Sequence, residues 1–192
     1  KQSVTNVVPL KETDAYPAQP QDTYGWEKLM TEILLENYEK EYGIQTRIAR
    51  FHNIFGPMGT WTGGREKAPA ALCRKVIKAD KEMEILGDGQ QVRPFIYIED
   101  LLDGIEALMN SDLKEPVNLG PSEGMTINDM IDVVCEVANK HPLRKYIKGP
   151  TGEQNRRANN DLAKDRLNWS PKWDFKDAIA ITYQWIQKQI LK

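Results

Sequence analysis

Tyr24 and Lys28 stand four residues apart in the stretch QDTYGWEKLMTEILLENYEKEYG. On a helix that spacing puts a phenol and an ammonium one turn apart on one face. A neighbouring positive charge favours phenolate, drawing a tyrosine from its reference pKa of about 10 toward the range of a general base. The pair has the chemistry of a base and its tuner, but the same spacing also describes a plain helix surface. In GREKAP, Lys67 lies between Glu66 and Ala68. A lysine exchanges protons when burial or nearby cations depress its pKa, and is otherwise a solvated loop residue. Gln91 and Arg93 in GDGQQVR, with Arg156 or Arg157 in EQNRRANND, supply an amide and guanidinium forks. Such forks suit paired phosphate oxygens, although the two loop arginines equally fit ordinary solubility charges.

Elements must bring these groups together. Residues 1–22, with Pro9, Pro17 and Pro20 and no apolar period, read as a surface loop. Trp26, Leu29, Met30, Ile33, Leu34 and Tyr38 recur at helical spacing and Gly43 stands at the C-cap, which predicts a long helix over 23–42. IQTRIARF predicts a strand at 45–51, and a helix followed at once by a strand is half of a parallel-sheet unit. The glycine-dense loop GPMGTWTGGREKAP leads through Pro69 into a helix carrying Ala71, Leu72, Val76 and Ile77. Strands are predicted at 83–86, at 92–98 and in PVNLG. Asp100 is expected to cap or open a helix, and Asn118 to sit in a turn after its strand. Thr126 and Asp129 have capping-box spacing, and a last helix over 174–190 is expected to bury Ala178, Ile179, Thr182, Trp185 and Ile186. The pattern is α/β throughout.

The 192 residues carry 26 Lys and Arg against 28 Asp and Glu, and this net charge of −2 gives nucleic acid no long-range attraction. Hydrophobic residues make up 40%, enough for the core of one domain, or of one domain and a fragment. No apolar run reaches the roughly 18–20 residues of a membrane span, and the start KQSVTNVVPL lacks the zones of a signal peptide, so no membrane partner and a cytoplasmic location are expected. Cys73 and Cys135 fall in predicted helices and read as buried structural thiols. His52 and His141 lack metal-ligand spacing, so no metal site is expected. The first residue is not Met, and the chain is expected to begin within a fold.

The order YGWEK, RFHNIFGP, GDGQQVRPFIYIED, VNLG and NNDLAKDRLNWSP resembles the C-terminal part of the extended short-chain dehydrogenases/reductases that act on nucleotide sugars. Within that family, FHNIFGPMGTWTGGREKAPAALCRK most resembles the branch that epimerises GDP-mannose at C3 and C5. UDP-glucose epimerases and dehydratases share the outer motifs but not this loop. The resemblance implies the C-terminal portion of a Rossmann-type doubly wound parallel sheet plus a small α/β substrate-binding domain. Residues 1–56, with 95–115 returning, would belong to the NAD-binding domain and 57–192 to the nucleotide-sugar domain. The dinucleotide-binding half is expected to be absent from this chain, whose sequence contains no G-x-x-G-x-x-G, and the chain by itself is expected to be inactive.

By the same resemblance the cofactor is NAD and the substrate GDP-mannose or a related GDP-sugar. Tyr24 would take the C4 hydroxyl proton, Lys28 would bond the nicotinamide ribose, and Lys67 would serve as one acid/base at C3 and C5. The resemblance implies that the partner acid/base would be a cysteine preceding residue 1; Cys73 and Cys135 do not occupy its position. Substrate contacts are implied for Asn53, Glu66, Lys67, Ala68, Lys75, Gln91, Val92, Arg93 and Arg156. The run EQNRRANND departs from the family pattern and leaves the choice between Arg156 and Arg157 open. Family members dimerise through two helices, one being that of Tyr24, so a homodimer is expected. The alternatives are a related 4-epimerase or 4,6-dehydratase, discriminated by the Lys67 loop, and a non-catalytic GDP-binding or dimerisation fragment.

Overall fold

Asp22 accepts a hydrogen bond from the Gly25 amide at 2.9 Å and so caps helix α1 (Thr23–Tyr42), which Gly43 ends in the left-handed region at φ 67°. The structure, a computed structural model, describes residues 9–20, 22–149 and 157–192. Gly25 is required by close approach, because a Cβ there would meet the Pro20 ring at 2.8 Å. None of the α1 residues is fully buried: Leu29, Ile33 and Leu35 are half-buried, while Trp26, Met30, Leu34 and Tyr38 are each about half exposed.

Three parallel pairs follow. Strand β1 (Ala49–Phe51) pairs with β6 (Val117–Leu119), β2 (Asn53–Phe55) with β5 (Phe95–Tyr97), and β3 (Glu82–Leu86) with β8 (Leu143–Ile147). The short β4 (Val92–Arg93) runs antiparallel to β7 (Met125–Thr126). The strand expected at 45–51 begins only at Ala49 and is followed after His52 by β2. The one expected at 92–98 is split at Pro94, which has no N–H for a ladder. Helix α2 (Ala68–Lys78) carries proline in its first turn, α3 (Ile98–Met109) follows β5 directly, and α4 (Ile127–Ala138) has the Thr126–Asp129 capping box. Helix α5 (Asp161–Leu167) precedes α6 (Phe175–Ile190), which is capped by Asp174. Strand β8, helix α5 and a 3₁₀ turn at Glu12–Ala15 were not expected from the pattern.

Apolar faces assemble into two clusters. Val76, Met130, Ile131, Val134, Ile179 and Ile186 join α2, α4 and α6, and both Cys73 and Cys135 are buried there. Ile96, Leu101, Leu108, Val117, Leu119 and Trp169 form the second, around β5, β6 and α3. In α6 the buried set is Ala178, Ile179, Thr182, Tyr183 and Ile186; Trp185 is only partly covered. Asp100 neither caps α3 nor faces solvent. It lies buried in the first turn, and its carboxylate accepts from the backbone amides of Lys172 at 2.8 Å and Trp173 at 3.2 Å. Asn118 lies inside β6 rather than in a turn, its Nδ2 donating to the carbonyls of Leu10 and Asn159. The expected surface loop is thereby tied to the sheet.

Candidate functional site

A cleft of about 260 Å³ is lined by Asn53, Glu66, Lys67, Ala68, Gln91, Arg93, Phe95 and Ile127. Asn53 opens β2 opposite Phe95, its register partner on β5. Lys67 is the N-cap of α2 with extended backbone, and Ala68 is that helix's first residue. Ile127 is the first residue of α4. Two helix N-termini thus meet the cleft, and their partial positive charge favours an anion. Strand β4 brings in Arg93, whose Nη1 donates to the Val92 carbonyl at 2.8 Å.

Glu66 brings a carboxylate to the same cleft, its charge paired with the Arg74 guanidinium. Its carboxyl is held below the ordinary range by hydrogen bonds from its own amide, from Arg74 and from Gly64. The Arg74 Nη2 to Glu66 distance is 2.6 Å and the Gly64 amide donates at 2.7 Å. These bonds hold the loop before α2 in place. Gln91 is 8% exposed, and its Oε1 is buried without a hydrogen-bond partner among the described residues. An unpaired buried acceptor is costly, and a ligand donor entering the cleft would satisfy it.

Other expected residues lie elsewhere. Lys75 donates from Nζ to the Glu84 carbonyl at 2.7 Å, anchoring α2 to β3, and burial lowers its pKa. Val92 is partly buried in β4 and does not line the cleft. Tyr24 is 67% exposed on α1, with the Lys28 Nζ 5.1 Å from its ring centroid. Lys28 also reaches Glu27 at 3.1 Å, which raises the lysine's pKa. Neither Tyr24 nor Lys28 lines the cleft. Arg156 lies outside the described residues, and Arg157 pairs with Glu123 at 3.4 Å.

Two features escaped the sequence reading. A second cavity of about 190 Å³, sharing Arg93 and Phe95 with the cleft, is walled by Phe55, Tyr97, Trp173 and Phe175. These rings come from three separate segments, β2, β5 and the run into α6, and no spacing announces them. His52 is the other. Burial lowers its pKa to about 4, neither ring nitrogen has a partner among the described residues, and a Cβ on Gly120 would meet its ring at 2.2 Å. Its position just past β1, at the carboxyl edge of a parallel pair, was the available signal.

The model of the NAD dependent epimerase/dehydratase family matches residues 3–120, well over half of the chain. The chain belongs to this family. Its α/β architecture with parallel strand pairs is that of solved relatives: UDP-glucose 4-epimerase from Thermotoga maritima, solved with UDP-glucose, is 26% identical with a TM-score of 0.84, covering 96% of this chain and 59% of that one. UDP-glucuronic acid 4-epimerase from Bacillus cereus, solved with UDP-glucuronic acid and NAD, is 27% identical with a TM-score of 0.76, covering 90% and 54%. Among curated proteins, GDP-mannose 3,5-epimerase of Arabidopsis thaliana is 48% identical over all 192 residues, which cover 51% of its length. UDP-glucuronic acid decarboxylase 1 of the same plant is 32% identical over 178 residues, covering 89% of this chain and 40% of that protein. The chain spans about half the length of the curated relatives it matches. Among the described residues no helix is long and apolar enough to cross a membrane.

Proposed function

We propose that the protein carrying this chain epimerises a GDP-sugar, GDP-mannose at C3 and C5, through a transient 4-keto sugar and with NAD as cofactor. The observation that carries the reading is the cleft where Asn53, Lys67, Gln91 and Arg93 meet two helix N-termini, in a chain 48% identical to a GDP-mannose 3,5-epimerase. Arg93 and the helix ends suit a diphosphate, and Gln91 Oε1 awaits a donor. Arg156 is proposed as a further cation for the diphosphate, whereas Lys75 is engaged by the Glu84 carbonyl outside the cleft. In this reading residues 1–56, with 95–115 returning, form the cofactor side and the remainder of 57–192 the sugar side.

The Tyr24–Lys28 geometry fits the ribose end of NAD: an ammonium beside a phenol on one open helix face. NAD, when bound, would supply the hydride chemistry at C4, with Lys28 and Tyr24 as the residues that would hold its ribose end. Tyr24 takes the C4 hydroxyl proton and later returns it. The ketone acidifies the C–H bonds at C3 and C5 by stabilising the enolate. Lys67, at the mouth of α2, carries a proton to or from one ring face. Its counterpart on the other face is outside this chain's described groups.

Assembly as a homodimer through α1 is part of the proposal, supported by its exposed Trp26, Met30, Leu34, Tyr38 and Tyr42, spaced four residues apart. Cytoplasmic residence fits the two unpaired thiols. Incubating the intact protein with GDP-mannose in deuterated water tests the reaction. Deuterium is expected at C3 and C5, and Tyr24→Phe is expected to abolish its uptake. Full uptake by the Phe variant would remove Tyr24 from the mechanism, and no uptake by the parent would overturn the substrate assignment.

A further inference from the structure

Helix α1 carries Tyr24 and Lys28 and, within the described residues, buries none of its own side chains fully, so side-chain tethers from the sheet bear on how it is held. Tyr24, Lys28 and Glu32 lie on one i, i+4, i+8 row, and Glu32 is about 12 Å along the axis from Tyr24. Arg50 grips Glu32 with both arms of its fork, Nε to Oε1 at 2.9 Å and Nη2 to Oε2 at 2.6 Å, while Nη1 donates to the Glu12 carbonyl at 2.8 Å. The side chains are only 23% and 15% exposed, so solvent screens the pair far less than it screens Lys114–Glu39, another tether of α1, whose lysine is 69% exposed. Arg50 is the central residue of β1, paired in register with Asn118, and lies three residues before Asn53 in the cleft.

We infer that Arg50 and Glu32 are positioning residues: their two-pronged pair fixes the azimuth of α1 and so aims Tyr24 and Lys28 relative to the strand that leads into the cleft. A fork on a carboxylate fixes direction as well as distance, whereas a lysine in its place would act as a point charge and leave rotation free. The pair touches no reacting atom. Its contribution is to orientation, where small misplacement costs rate rather than binding.

The kinetic arm of the test rests on the proposed reaction, and a second arm does not. In the intact protein, Glu32→Gln and Arg50→Gln are expected to lower kcat for deuterium uptake at least tenfold with KM within twofold of the parent. The double variant should be no worse than either single one, and Arg50→Lys should lie between. Amide hydrogen exchange should rise in residues 23–36 and stay at the parent level in α2 and α3. Unchanged kcat, a KM rising in step with the loss, or exchange raised throughout the molecule would each overturn the inference. If the parent takes up no label, the proposed reaction falls, and the exchange pattern still decides whether the pair orients α1.

Discussion

At the scale of single residues, Lys67 and His52 stand on opposite footings. Lys67 lines the cleft, and if it carries a proton in the transition state, Lys67→Ala should lose C3 and C5 exchange while binding GDP-mannose with the parent affinity. Lys67→Arg should be nearly as damaging, since a guanidinium stays protonated at working pH; calorimetry beside the label assay separates the two effects. His52 acts on stability. Its folded pKa of about 4 lies below the free imidazole's 6.5, so the unfolded chain takes up the proton first as pH falls. Stability is therefore whole above about 6.5 and declines toward pH 4, by about 3 kcal/mol from this residue. Denaturant midpoints measured across that window should show a shallower acid loss in His52→Phe than in the parent.

At the scale of elements, helix rules are obeyed or reversed by what packs alongside. Thr126 Oγ accepts from the Asp129 amide at 3.0 Å, and Thr126→Ala should cost about 1 kcal/mol in thermal or denaturant unfolding. Gly104, inside α3, shows the reverse. Glycine to alanine within a helix ordinarily stabilises by about 1 kcal/mol, but a Cβ here would lie 2.8 Å from the Trp169 ring. The indole is itself fixed, donating from Nε1 to the Asp100 carbonyl at 3.1 Å. Gly104→Ala is therefore expected to destabilise by about 1–3 kcal/mol, the ordinary cost of overpacking, with a lowered unfolding midpoint as the readout.

At the scale of the whole molecule, the proposed assembly turns on the exposed row of α1. Leu34, half exposed at its centre, would be covered in a dimer built on this helix. Leu34→Glu would put a charge into that interface, and sedimentation velocity should find the variant as a monomer where the parent is a dimer. A parent that sediments as a monomer at all concentrations would remove α1 as the dimer contact.

Sequence by itself determined the elements whose signals are local. The caps at Gly43 and Thr126 fall where local chemistry places them, and the order of motifs carried the family. It also marked Asn53, Glu66, Lys67, Ala68, Gln91 and Arg93, the six expected residues that line one cleft. Only the tertiary structure decided the rest, because burial and pairing depend on distant chain. Asp100 serves the amides of Lys172 and Trp173, some seventy residues on, and Asn118 holds a segment over a hundred residues earlier. Lys75 turned to the Glu84 carbonyl, His52 lost its solvent under Gly120, and Arg50 found Glu32 across eighteen residues. No periodicity encodes such partners; they exist only once the strands have been paired and the helices laid against them.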